Sequence, residues 1–183
     1  MTAVLDHLAI GTPALTEGWE LFGGVLGGRW AYGGDAPGFW WGQLKFGAGP
    51  KIELLTPAGG PDAAFLERFL AARGPGPHHL NFIVDDIEQA LARIRALGIE
   101  PVGVNLANRY WKEAFLHPRV AAELTWPGGK RIRLVYEDGL PLGGALHHVR
   151  FTRAAGAFST QDTERAGLLA KRLGLTVDLA GCH

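Results

Sequence analysis

The chain has 183 residues, 47% of them hydrophobic and 20% charged, a balance that suits one large globular domain or two small ones. Its 18 basic and 18 acidic residues cancel, and without a Lys/Arg cluster in the sequence no nucleic-acid partner is expected. Neither a basic leader nor an apolar run of about 18 residues is present, so a soluble cytoplasmic protein without a membrane partner is expected, and Cys182, the only cysteine, leaves His, Glu, Asp or Gln as the donors for any metal.

Three segments share one pattern of strand, helix and glycine turn: LDHLAIGTPALTEGWELFGGVLGG at 5–28, PHHLNFIVDDIEQALARIRALGIEP at 77–101, and ALHHVRFTRAAGAFSTQDTERAGLLAKRLGLTVD at 145–178. Short apolar runs predict the strands, and apolar residues three and four apart, such as Ile87, Leu91, Ile94 and Leu97, predict the helices. Asp86 is a plausible N-cap and Gly98 a plausible stop. RWAYGG, FWWGQLKFG and KIELLTP follow the first helix as strand-like runs; IEPVGVN, WKEAFLHP, then VAAELTW and KRIRLVYE around the turn PGG follow the second. Each unit thus reads β-α-β-β-β, and the third stops after a strand, a helix over about 162–173 and LTVDL. PDAAFLERFLAARGPGP at 61–77 reads as an amphipathic helix and stiff linker between the first two units. Helices covering one face of a mostly antiparallel sheet make the expected class α+β.

Strand alternation sorts the candidate residues. His7 and Ala9 point opposite to Asp6, Leu8 and Ile10, while His79, Asn81 and Ile83 point opposite to His78, Leu80, Phe82 and Val84. The bulky sets are expected to cover the helices, so His7 and His79 face away from them, and Asp6, His78 and His147 are expected to be ordinary strand residues. Glu53 lies 46 residues after His7, and Glu123 lies 44 residues after His79. Two repeats therefore carry a His on the first strand and a Glu on the last, a donor set that suits zinc, iron, manganese, cobalt or nickel.

The run from KIELLTP through IEPV, extended by LDHLAIGTPAL and WKEAFLHP, resembles the vicinal-oxygen-chelate (VOC) superfamily in its glyoxalase and methylmalonyl-CoA epimerase branch, over about residues 4–126. The resemblance implies paired βαβββ modules forming a cupped mixed sheet, the glyoxalase/bleomycin resistance/dioxygenase fold, around one divalent metal ion held by His7, Glu53, His79 and Glu123. On it, residues 1–139 form the VOC domain, with module 1 at about 4–60, the linker helix at 61–77 and module 2 at about 78–139; residues 140–183 resemble the opening of another, incomplete module, with His148 in ligand phase. A second register puts Arg133, 54 residues after His79, at the fourth position, where a cation opposes metal binding. Between the second and third strands, where the epimerases carry a carboxylate base, AYGGDAPGFWWGQ offers only Asp35.

The expected activity is isomerisation, epimerisation or lyase chemistry next to a carbonyl, through a chelated enolate-like intermediate. Glu53, Glu123 and Glu113 are the candidate catalytic carboxylates, and Trp41, Asn81, Trp111 and His117 the candidate substrate-binding residues. Trp30, Trp40, Trp41, Tyr110 and Trp111 are expected near the cup rim, with at most one of the adjacent Trp40 and Trp41 lining the cavity; such a wall suits a hydrophobic or aromatic small molecule. Two rivals use the same fold: a non-haem iron dioxygenase built on His7, His79 and Glu123, and a non-catalytic, antibiotic-type binding protein. A homodimer is expected, because the incomplete third unit exposes an edge strand.

Overall fold

The computed structural model describes residues 3–116, 124–125, 131–132, 148–153 and 158–181. It divides into two compact units, one of Leu5–Phe82 with His147–His183 and one of Met1–Val4 with Ile83–Leu146.

The first unit is built on a mixed five-stranded sheet in the order β2-β3-β4-β1-β5. The strands are β1 (Ala3–Gly11), β2 (Arg29–Ala36), β3 (Phe39–Lys45), β4 (Lys51–Pro57) and β5 (Gly76–Val84). β1 runs parallel to β4, while β3 is antiparallel to both β2 and β4. Leu8, Ile10, Leu44, Ile52 and Leu54 are buried on one face. Against it lies the segment predicted as the first helix, which is a short α1 (Leu15–Trp19) followed by a π-helical turn over Glu20–Val25. A side chain on Gly18 would put its Cβ 2.5 Å from Leu54 Cδ2, so this glycine lets the helix seat directly on β4. Phe22 and Leu21 on the turn are fully buried, each contributing roughly 1.5–3 kcal/mol.

The expectation that helices cover a single face is corrected here. The linker segment forms α2 (Ala64–Arg73) after a 3-10 turn at Pro61–Ala63, and α2 packs on the opposite face. Leu66 joins Ala9 and Leu55 in a buried cluster, with Phe39, Trp41, Phe69 and Leu70 against it. Gly11 makes room, since a Cβ there would lie 2.9 Å from Phe69 Cε1.

The C-terminal segment belongs to this same unit. β10 (His148–Arg153) and β11 (Thr176–Gly181) pair in parallel, which requires a crossover, supplied by α4 (Thr160–Arg172). Ser159 and Asp162 close a reciprocal capping box at its start. Arg165 Nη2 donates to Glu20 Oε1 at 2.5 Å across to the π-helical turn, and Leu169, Ala170 and Leu173 are buried. Gly174, at φ +63°, passes so close to Pro75 that a Cβ would lie 2.6 Å from its carbonyl oxygen, which ties the end of α4 to the start of β5.

In the second unit, α3 (Ile87–Ala96) starts at Asp86, whose Oδ1 accepts from Gln89 N at 2.9 Å. It is followed by Gly98 at φ +77°, as its sequence signals predict. β6 (Val102–Asn105) pairs antiparallel with β7 (Glu113–Phe115). β8 (Leu124–Thr125) pairs antiparallel with β9 (Arg131–Ile132).

Candidate metal centre

Register on the sheet lays out the α2-facing side as rows running across the strands. Side chains directly opposite one another share a face. His7 stands opposite Lys51, and Lys51 opposite Lys45; Ala9 stands opposite Glu53, and Glu53 opposite Gln43; Gly11 stands opposite Leu55, and Leu55 opposite Trp41. β2 carries a register shift between Trp30 and Tyr32, so that Trp30 pairs with Leu44 but Tyr32 pairs with Gln43. The extra residue, Ala31, puts Tyr32 on the side of Gln43 and leaves Trp30 on the opposite face, where its ring tilts against Trp19 at 5.8 Å. Of the adjacent tryptophans, Trp41 packs edge-on against Tyr32 at 5.7 Å, and Trp40 points to the other side.

His7, Glu53 and His79 come together on this face, each offering one ligand atom, and the three atoms lie within 4.8 Å of one another. Glu53 Oε2 is 3.3 Å from His7 Nε2 and 3.9 Å from His79 Nε2. Donors about 2.1 Å from a shared zinc-type ion lie about 3.0–3.4 Å apart, so small side-chain shifts would close the set, and two imidazoles with one carboxylate suit a borderline divalent cation. The chemistry and spacing of these donors therefore fit such an ion.

The back of each ligand is held by a neighbour. His7 Nδ1 donates to Asp6 Oδ2 at 2.7 Å, which turns Nε2 toward Glu53. Lys51 Nζ donates to Asp6 Oδ1 at 2.6 Å and to Tyr32 Oη at 3.1 Å. His79 Nδ1 meets His78 Nδ1 at 2.8 Å, and the His78 ring sits edge-on against Phe69 of α2 at 4.8 Å. Glu53 Oε1 accepts from Gln43 Nε2 at 2.7 Å, leaving Oε2 for a metal. Gln43 Oε1 is buried with no hydrogen-bond partner among the described residues.

These contacts set the charges. Burial alone pushes His7 down, but hydrogen bonds and charge from Glu53 and Asp6 raise it above the ordinary imidazole value. Burial pushes Glu53 up, but His7, Gln43 and His79 bring it below the ordinary carboxylate value. Asp6 is likewise pushed up by burial and held low by Lys51 and His7. His79 falls to about 4, through burial and the proximity of His78, against the pull of Glu53. Near neutral pH the site thus holds a carboxylate and a neutral His79, beside a His7 that keeps its proton to higher pH than an ordinary imidazole does.

The other candidates lie elsewhere. Asn81 is half-buried on β5, two residues beyond His79. Glu113 and Trp111 belong to the second unit, where Trp111 Nε1 donates to Glu113 Oε2 at 3.0 Å. Tyr110 is exposed there, with the Arg109 guanidinium over its ring. Glu123, Arg133, His117 and His147 fall outside the described residues, as does the side chain of His148. Asp35 is exposed and pairs with Trp40, so it stands on the face away from His7. Asp6 and His78, expected to be ordinary strand residues, hydrogen-bond to the rings of His7 and His79, contacts that alternation hides because a side chain at i−1 can fold back onto Nδ1. Gln43 and Tyr32 were marked by no sequence signal, since their places depend on strand register and the bulge.

Residues 6–115 match the model of the family described as Glyoxalase/Bleomycin resistance protein/Dioxygenase superfamily. No curated protein matches the chain. Among solved structures, a hypothetical protein from Bacillus halodurans C-125 is 28% identical, with a TM-score of 0.57 over 66% of this chain and 88% of that one. Methylmalonyl-CoA epimerase from Mycobacterium tuberculosis is 25% identical, with a TM-score of 0.57 over 64% of this chain and 80% of that one. The fold is also that of a methylmalonyl-CoA epimerase variant from Streptomyces coelicolor in complex with 2-nitronate-propionyl-CoA, 24% identical with a TM-score of 0.55 over 63% of this chain and 85% of that one. The chain belongs to the glyoxalase/bleomycin resistance/dioxygenase superfamily, the vicinal-oxygen-chelate proteins.

Proposed function

We propose that this chain is a metal-dependent enzyme that moves a proton next to a carbonyl group of a small molecule, by isomerisation, epimerisation or lyase chemistry. The observation that carries the proposal is the convergence of His7 Nε2, His79 Nε2 and Glu53 Oε2 on one point, each with its far side already engaged. These residues would hold one divalent ion, with Glu123 as a fourth ligand. Such an ion, when bound, supplies Lewis acidity toward a substrate carbonyl oxygen.

The remaining chemistry belongs to side chains. Glu53 is held from both ends, by Gln43 on Oε1 and by the histidines on Oε2, and its lowered proton affinity suits a ligand better than a base. Proton transfer then falls to Glu113 or Glu123. Tyr32 packs edge-on against Trp41 and meets Lys51 through its hydroxyl, and an exposed aromatic ring of this kind suits an organic substrate with apolar surface. The likeness to methylmalonyl-CoA epimerase from Mycobacterium tuberculosis supports the reaction class, while the outward placement of Asp35 argues for a different position of the base. We place the enzyme in the cytoplasm as a homodimer; among the described residues no helix is long and apolar enough to cross a membrane.

Metal analysis of protein purified without added metal tests the proposal. About one zinc, cobalt, nickel or manganese per chain is expected, falling at least tenfold in His7→Ala and His79→Ala. Iron in its place favours dioxygenase chemistry on the same two imidazoles and carboxylate. Metal-free wild-type protein, or a His79→Ala variant with full metal content, would overturn the ligand assignment.

A further inference from the structure

One row of the sheet is out of keeping with its surroundings. Arg29 stands opposite Lys45, Lys45 opposite Lys51, and Lys51 opposite His7, so three cationic side chains from three strands lie side by side on the face that carries the ligands. Like charges directly opposite on neighbouring strands destabilise a sheet. Lys51 is compensated by Asp6. Arg29 and Lys45 are exposed, and neither has a carboxylate within ion-pair distance among the described residues.

We infer that Arg29 and Lys45 form an oxyanion subsite that takes a carboxylate or phosphoryl group at the far end of the substrate. Arg29 offers a planar fork and Lys45 a mobile point charge, a pairing that suits two oxygens of one anion. Strands are spaced about 4.8 Å apart, which puts the row's β3 and β2 positions about 10 and 14 Å from β1. The substrate is then two-headed, with a reacting carbonyl at the metal and an anionic group about 10 Å away across the strands. That placement of the reacting end rests on the proposed metal centre, but the subsite itself does not.

The test titrates inorganic phosphate and, separately, succinate into the protein at low ionic strength by calorimetry, as purified and after chelator treatment. Saturable binding of at least one anion is expected in both forms, weakened by added sodium chloride and at least about tenfold weaker in the R29M/K45M double variant. Phosphate alone points to a phosphoryl group, and succinate alone to a carboxylate. Thermal unfolding checks that the double variant folds; with like charges removed from exposed positions, its midpoint should stay level or rise. Binding that the double variant retains in full, or no saturable binding of either anion, would overturn the subsite and leave the two residues as guards of the edge strand. Metal content measured on the same preparations keeps the two readings separate, because a metal-free protein that binds anions through Arg29 and Lys45 loses only the metal centre.

Discussion

The two histidine strands of the candidate centre look equivalent in sequence and differ in charge. On β1 the ligand follows an aspartate, and on β5 it follows another histidine. Asp6 draws the Nδ1 proton of His7, so that this imidazole lies between two carboxylates and is raised. His79 is instead pushed down to about 4 by burial and by repulsion from the neighbouring His78. Two positions that look alike in the sequence thus carry one more basic and one less basic imidazole. A metal would compete with a more tightly held proton at the first than at the second.

Breaking the first strand's contact should have the larger effect. Asp6→Asn is expected to weaken metal binding about 10 to 100-fold, whereas His78→Gln should weaken it by less than about tenfold, since an amide can still meet His79 Nδ1. Competition with a chromophoric chelator measures both. Equal losses in the two variants would mean that the strands are interchangeable after all.

The proton competition itself comes next. Because His7 is raised above 6.5 and His79 lies near 4, metal affinity should keep rising with pH above 6.5, by at most about tenfold per unit, with release of up to one proton per ion. An affinity flat over that range would mean that His7 is neutral before the metal arrives.

The smallest effect is on the stability of the chelator-treated protein, and here the two histidines act with opposite sign. The unfolded chain protonates His79 at about 6.5 but the folded one only at about 4, so stability should fall as pH drops between those values. His7 is raised, so its contribution is full below 6.5 and is lost as pH climbs through its folded pKa. In urea unfolding followed against pH, His79→Gln should flatten the acid limb and His7→Gln the alkaline one.

Part of this was legible in the sequence. The strands and helices of the described segments rest on local periodicity, and His7, Glu53 and His79 were marked by alternation and spacing and come together; Glu123, marked by the same spacing, falls outside the described residues. What stayed hidden depends on long-range geometry. The segment at 15–28 divides into α1 and a π-helical turn, and Gly18 lets it sit directly on Leu54, a contact that periodicity does not contain. α2 crosses to the ligand face because Leu66 and Phe69 find space over Ala9 and Gly11. Composition showed no basic cluster, yet strand pairing assembles one from Arg29, Lys45 and Lys51, separated along the chain and adjacent across it.

Ala31 carries a last consequence. Its inserted position alone decides that Tyr32, and not the opposite face, reaches Lys51 and Trp41. Its methyl group contributes almost nothing to that outcome, so a scan that replaces side chains with alanine would pass over the residue in silence. Only a change in the length of the strand would reveal what it does, which makes Ala31 a reminder that part of a site can be encoded as a count of backbone units.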